Sequence, residues 1–360
     1  MENKFSKYFL AANSGEGFVS RFADNYDFYD GWRAYIIKGG PGTGKSSFMK
    51  YVVVKAVDMG LEVELCPCSS DPDSLDGVII KDRKVIILDG TAPHVVEPGL
   101  PGVCEEIINL GEFWNGRKLR QRAQDIIAVT VQNKKLHKTA AAYISAASEL
   151  IYDNFKLSES FLNPDKAERF AVGVGERLIP KQNKTRAKEW VRFVGGVTPK
   201  GVVAFKSTIE DFYENIVVIS DKYGAAASVI MNTIRKIALM RGYEVITLKN
   251  PFLPSKMTDH ILIPKLSLAF VREYDYINFK EQYRRVHARR FYDVNMVREY
   301  RSRLTFNRRV ARELLQGAVD TLSIAKSVHD KLEKYYIGSM DFDAMTRFVE
   351  QKAKEILMRN

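Results

Sequence analysis

Residues 35–47 read YIIKGGPGTGKSS. Apolar residues lead into a glycine-rich turn, and the segment SFMKYVVVKAVDMG follows with helical apolar spacing. The pattern predicts a strand, a tight loop and a helix. Gly39, Gly44, Lys45 and Ser46 fit G-x-x-x-x-G-K-[ST]. A loop that wraps an anion must aim main-chain N–H groups inward, and side chains at Gly39, Gly40, Gly42 and Gly44 would obstruct that approach. Pro41, Thr43 and Ser47 complete the loop. The N-terminus of the following helix adds partial positive charge. Lys45 is the residue expected to reach β- and γ-phosphates, and Ser46 the one expected to offer its hydroxyl to Mg2+.

A second element follows in KVIILDGTAPH, where the four apolar residues Val85, Ile86, Ile87 and Leu88 end in Asp89. This reads as a buried strand that carries a carboxylate to the loop. The plain alternative is a strand ending in an Asp-Gly turn. Together the two segments resemble the Walker A and Walker B motifs of the P-loop NTPases. The resemblance implies a doubly wound parallel α/β sheet that binds a nucleoside triphosphate, most often ATP, with Mg2+. It gives Lys45 and Asp89 catalytic roles, and Ser46 and Asp89 the metal. Many hydrolases with these motifs place Glu directly after the strand aspartate, whereas Gly90 stands here. A general base must then come from Asp71, Asp73 or Asp76 in SSDPDSLDG, or from His94. Hydrolysis and phosphoryl transfer to a small molecule both stay open.

The chain repeats itself. Shifted by 182 residues, IIKGGPGTGKSSFMKYVVVKAVDMGLEV falls on VISDKYGAAASVIMNTIRKIALMRGYEV. From residue 36 to residue 89 there are 10 identities in 54 ungapped pairs, against roughly 3 from average composition. Flanking matches extend the similarity with small shifts, so two copies are expected, 1–182 and 188–360, each continuing into long helices. The second copy lacks the chemistry. Lys45 meets Ala227, Gly39 and Gly44 meet Asp221 and Ala226, and Asp89 meets Val271. Asp71, Asp73 and Asp76 meet Leu253, Ser255 and Thr258. One live site and one degenerate site are expected, with Asp221 repelling a triphosphate from the second.

The segments GFVSRF, IIKGGPGTGKSSFMK, CSSDPDSLDGVII, LDGTAPHVVEP and EIINLGEFW are similar to those of a largely uncharacterised family of bacterial predicted ATPases with two P-loop halves. In that family the second half often keeps its own Walker A motif, and Ala227 departs from it.

The net charge of +11 is uneven. Residues 1–188 hold 26 basic and 24 acidic side chains, and residues 189–360 hold 29 and 20. Residues 280–312 alone contain 11 basic and 3 acidic residues, interleaved with Tyr283, Phe291, Tyr292 and Tyr300. Three readings apply to this cluster: a solvated helix face, a surface for nucleic acid or another polyanion, or an arginine reaching the live site from the other half. Arg284, Arg285, Arg289 and Arg290 are the first candidates. Three cysteines exclude a disulfide framework, and Cys66 and Cys68 read as a buried strand end. The five histidines show no metal spacing. No apolar run approaches the ~20 residues of a membrane span. The expected place is the cytoplasm. The sequence therefore predicts an ATP-binding, Mg2+-dependent ATPase with one live site. A kinase and an ATP-switched module for nucleic acid or protein are the alternatives.

Overall fold

A computed structural model describes residues 4–93, 95–182 and 187–358. The chain runs β1 (Ser6–Lys7), β2 (Ala11–Ser14), β3 (Gly17–Ser20), β4 (Arg33–Lys38), α1 (Lys45–Asp58), β5 (Val63–Pro67), β6 (Leu75–Ile80), β7 (Val85–Asp89) and β8 (Glu105–Asn109). It continues through α2 (Gly116–Gln121), α3 (Ala123–Ser160) and α4 (Pro164–Leu178). A second round follows: β9 (Glu189–Arg192), β10 (Gly195–Thr198), β11 (Gly201–Ala204), α5 (Ser207–Glu210), β12 (Asn215–Ser220), α6 (Ala225–Met240), β13 (Val245–Lys249), β14 (Thr258–Ile263), β15 (Leu268–Glu273) and β16 (Arg284–His287). It ends in α7 (Val294–Glu299), α8 (Arg301–Ile337) and α9 (Phe342–Met358).

Two six-stranded sheets result, ordered β1-β5-β6-β7-β4-β8 and β9-β13-β14-β15-β12-β16. Position for position, the two orders are the same. β6 runs antiparallel to β5 and β7, and β14 does the same between β13 and β15, while the other pairs are parallel. The sheets are therefore mixed, not the parallel sheets expected. The direction of β6 was hidden because all six of its residues are buried. Such a strand shows no apolar–polar alternation, and continuous apolar runs are what a parallel strand also shows.

Side chains alternate between two cores, as the period of a strand requires. In the first sheet Tyr35, Ile37, Val78, Val85 and Ile87 face α1 and α9. Ala34, Ile79, Ile86 and Leu88 face the other way and meet Val218, Ile246, Leu262 and Val271 of the second sheet. Val217, Ile219, Ile261 and Phe270 then point outward to α6 and the long helices. The layers are helix, sheet, sheet, helix. Each sheet has helices on one face and its twin on the other, in place of a doubly wound arrangement.

The last helix of each copy is exchanged. α4 packs on α6 of the second copy, and α9 packs on α1 of the first. α3 and α8 lie antiparallel, with Asn154 donating to the Leu304 carbonyl at 3.1 Å. Paired hydrogen bonds record the pseudo-twofold relation. Phe9 and Phe193 exchange N–H···O bonds of 2.8 and 2.9 Å. Asn115 N–H donates to Ser339 O, as Asp293 N–H donates to Phe161 O. Asp341 N–H donates to Phe113 O, as Asn163 N–H donates to Phe291 O. Such reciprocity is the signature of an isologous interface, here closed within one chain.

Candidate active site

β4 delivers the glycine-rich loop, and α1 starts at Lys45. Gly42 and Gly44 hold φ of +67° and +84°, left-handed values that favour glycine. Lys45 Nζ folds back over the loop, donating to Gly40 O at 3.0 Å, and stands 3.6 Å from the Asp89 carboxylate. Asp89 ends β7, which pairs with β4 so that Ile37 and Asp89 are register partners. Its Oδ1 accepts the Thr91 N–H at 2.9 Å and the Thr91 hydroxyl at 2.6 Å. Burial pushes the Asp89 carboxyl above its ordinary range, against the pull of Lys45 and Thr91. Ser46 Oγ accepts the Leu75 N–H at 3.0 Å, which ties the start of β6 to the site.

The structure thus gathers Lys45, Ser46 and Asp89 at the head of α1, with Gly39, Gly40, Pro41, Gly42, Thr43 and Gly44 forming the loop and Ser47 exposed. The candidate bases fare differently. Asp71 accepts the Ser74 hydroxyl and pairs with Lys326 at 3.5 Å. Asp73 is exposed and paired with Lys200. Asp76 is buried, shares a hydrogen bond with the Cys68 thiol, and lies close enough to raise the Asp89 carboxyl further. His94 lies outside the described residues.

The residues that wall the loop come from far along the chain. A β-carbon on Gly40 would lie 2.7 Å from the Tyr336 ring and 3.3 Å from Trp114, and one on Gly42 would lie 2.9 Å from Glu333 O. Gly44 is similarly covered by Met345 at 3.0 Å. Tyr336, Glu333 and Met345 all come from α8 and α9, so the second copy closes the first copy's loop.

The second loop is occupied by its own side chains. Asp221, at the place of Gly39, is buried; its carboxylate accepts the N–H of Ala227 at 2.9 Å and of Tyr223 at 3.1 Å. The Tyr292 hydroxyl accepts the Ala226 N–H at 2.9 Å and donates to Asp221. The N–H groups of Tyr223, Ala226 and Ala227 are thereby satisfied internally. The correspondence beyond this loop needs correction. The connection between β13 and β14 is one residue longer than that between β5 and β6, so the shift becomes 183. Register agrees: Ile37 pairs with Asp89, and its counterpart Ile219 pairs with Arg272. Lys84 and Ser267, both left-handed, also match at this shift. Asp89 therefore corresponds to Arg272, not Val271, and Asp76 to Asp259, not Thr258. The buried Arg272 guanidinium binds Asp259 at 2.9 Å and the Asp221 carbonyl at 2.8 Å. Asp76 is thus not lost together with the lysine.

Part of the basic cluster is paired. Arg285 is held by Glu273, Arg308 by Asp275, Arg303 by Asp153, and Arg290 lies over Phe170. Arg284 and Arg289 are exposed, on and just after the sheet-edge strand β16. Among the described residues no helix is long and apolar enough to cross a membrane, and no cluster of three metal-ligating side chains occurs. No protein-family model matches the chain, and no curated protein or solved structure matches it significantly.

Proposed function

We propose that the chain is a P-loop ATPase of the two-halved type, with one live site in the first copy that binds Mg-ATP. The observation that carries this reading is the approach of the half-buried Lys45 and Asp89 to 3.6 Å, at the head of a helix opened by a glycine-rich loop. Lys45 releases Asp89 and the Gly40 carbonyl to meet the β- and γ-phosphates. The loop's N–H groups and the α1 dipole neutralise the remaining charge. The donor set fits Mg2+, a hard cation that takes few protein oxygens and keeps phosphate and water. Ser46 and Asp89 would hold it, and it would supply charge neutralisation between β- and γ-oxygens. The buried Asp76 lies close enough to modulate Asp89. The second copy supports the same reading by contrast, because Arg272 and Asp221 there satisfy each other's surroundings without a ligand.

The test is ATP binding by calorimetry and phosphate release, with wild type and Lys45→Ala, with and without Mg2+. Binding and turnover in wild type, lost in the variant, are expected. Failure of wild type to bind ATP overturns the proposal. Turnover only with an added acceptor would make the chain a kinase.

One observation favours an added role. A shallow cleft is lined by Arg285, His287, Arg289 and Arg290, which suits a polyanion such as single-stranded nucleic acid. Stimulation of phosphate release by RNA or DNA would establish it, and salt-insensitive absence of binding would remove it.

A further inference from the structure

Beside the live loop the two halves leave a groove of about 760 Å³, lined by Trp114, Asn115, Lys118, Ser339, Asp341 and Phe342. Trp114 is 37% exposed and Phe342 39% exposed. The groove borders the loop through its lining residue Trp114. Trp114 lies against Gly40, and Met345, next in the chain to the lining residue Ala344, lies against Gly44.

The twin location provides an internal control. The paired hydrogen bonds between Asn115 and Ser339, and between Asp293 and Phe161, fix the correspondence there at 178 residues. Trp114 then corresponds to Tyr292, and Ser339 to Phe161. In the second copy Phe161 is buried, and its ring lies edge-on to Tyr292 at 5.5 Å. Tyr292 is itself 8% exposed and turned into its loop. Phe161 therefore fills the twin of the Ser339 position where the loop is filled by Asp221. At the first loop, which carries no such carboxylate, Ser339 stands in place of Phe161, and Trp114 is 37% exposed where Tyr292 is buried.

We infer that this inter-half groove receives the nucleoside of the triphosphate whose phosphates sit on the loop, with the base stacking on Trp114. The inference rests on the proposed function. Its volume suits a small-molecule subsite, and base–aromatic stacking is sequence-tolerant because every base has a π-face. The ligand class is a nucleoside triphosphate rather than a bare polyphosphate, and the second copy completes the site by supplying Ser339, Asp341 and Phe342.

The experiment compares ATP with inorganic tripolyphosphate by calorimetry on the full chain. Wild type is expected to bind ATP at least about tenfold more tightly than tripolyphosphate. Trp114→Ala should remove most of that ratio while tripolyphosphate binding persists, and Trp114→Phe should restore it. Ser339→Phe, which copies the filling of the twin location, should likewise exclude ATP selectively. Equal affinities for the two ligands in wild type would overturn the inference, as would an unchanged ratio in folded Trp114→Ala or Ser339→Phe. Loss of both ligands belongs to Lys45→Ala. If that variant binds both like wild type, the phosphate reading fails instead.

Discussion

The Asp221 carboxylate accepts the main-chain N–H of Ala227 at 2.9 Å, at the position where the first copy carries Lys45. A side chain of the protein thus satisfies a main-chain donor of its own loop. Asp221→Ala is expected to leave ATP affinity at the first site unchanged, with one nucleotide per chain, because Arg272 still fills the second loop. It should cost about 1–3 kcal/mol of stability, the penalty for stranding buried donors. Urea unfolding and calorimetric stoichiometry check both halves of the statement. A second bound ATP, or weakened binding at the first site, would contradict it.

Lys45→Ala should lower phosphate release by about 100-fold or more, the scale for removing one preorganised charge donor. Asp89→Asn should weaken Mg2+ dependence more than nucleotide affinity in EDTA. Single-turnover assays across a magnesium titration separate the two.

The pH dependence of magnesium use follows from Asp89. In the proposed role only its carboxylate form would hold the metal, and burial raises its pKa despite Lys45. Mg2+ affinity should climb with pH and reach its plateau at a higher pH than an ordinary aspartate would give. An affinity already flat from the normal aspartate range upward would argue against Asp89 as a ligand.

Between the halves, Arg192 donates to Glu64 at 2.8 Å and to Asn25 at 2.6 Å, all buried. Burial alone would raise the Glu64 carboxyl, but Arg192 and Lys81 outweigh it and hold it below its ordinary value. Its stabilising contribution is therefore present above the unfolded-state pKa and disappears as pH falls through the lower folded-state value. Arg192→Met should cost about 3–5 kcal/mol at neutral pH, because Glu64 is left buried with a weakened partner set. The cost should shrink in acid. Denaturant unfolding at several pH values measures both.

Residues 1–182 expressed alone lack α9 and the opposing sheet, so two apolar faces stand open. That fragment should be insoluble or molten, and co-expression with residues 188–360 should recover a soluble complex. A monomeric 1–182 fragment with cooperative unfolding would show that the helix exchange is dispensable.

Much of the site was legible because it is local: the spacing from Gly39 to Ser46 lies within one turn of chain, and Asp89 follows an unmistakable apolar run. The repeat was legible from Gly42/Gly224 and Gly60/Gly242. Its exact course was not. One extra residue before β14 slides two buried strands past each other, and Ile, Leu and Val match almost equally in either register. Arg272 was thereby hidden behind Val271, and Asp259 behind Thr258. The walls of the site were hidden for a different reason. Tyr336 and Met345 meet Gly40 and Gly44 across some three hundred residues of chain, and nothing in either segment alone names the other.

The reciprocal bonds at Phe9 and Phe193 bear on how the two sites could come to differ. In a dimer of identical chains, any substitution enters both sites together, so neither can be surrendered alone. Joining the two copies end to end removes that constraint. One loop can then be filled by the chain's own side chains, while its helices go on walling the loop of its neighbour.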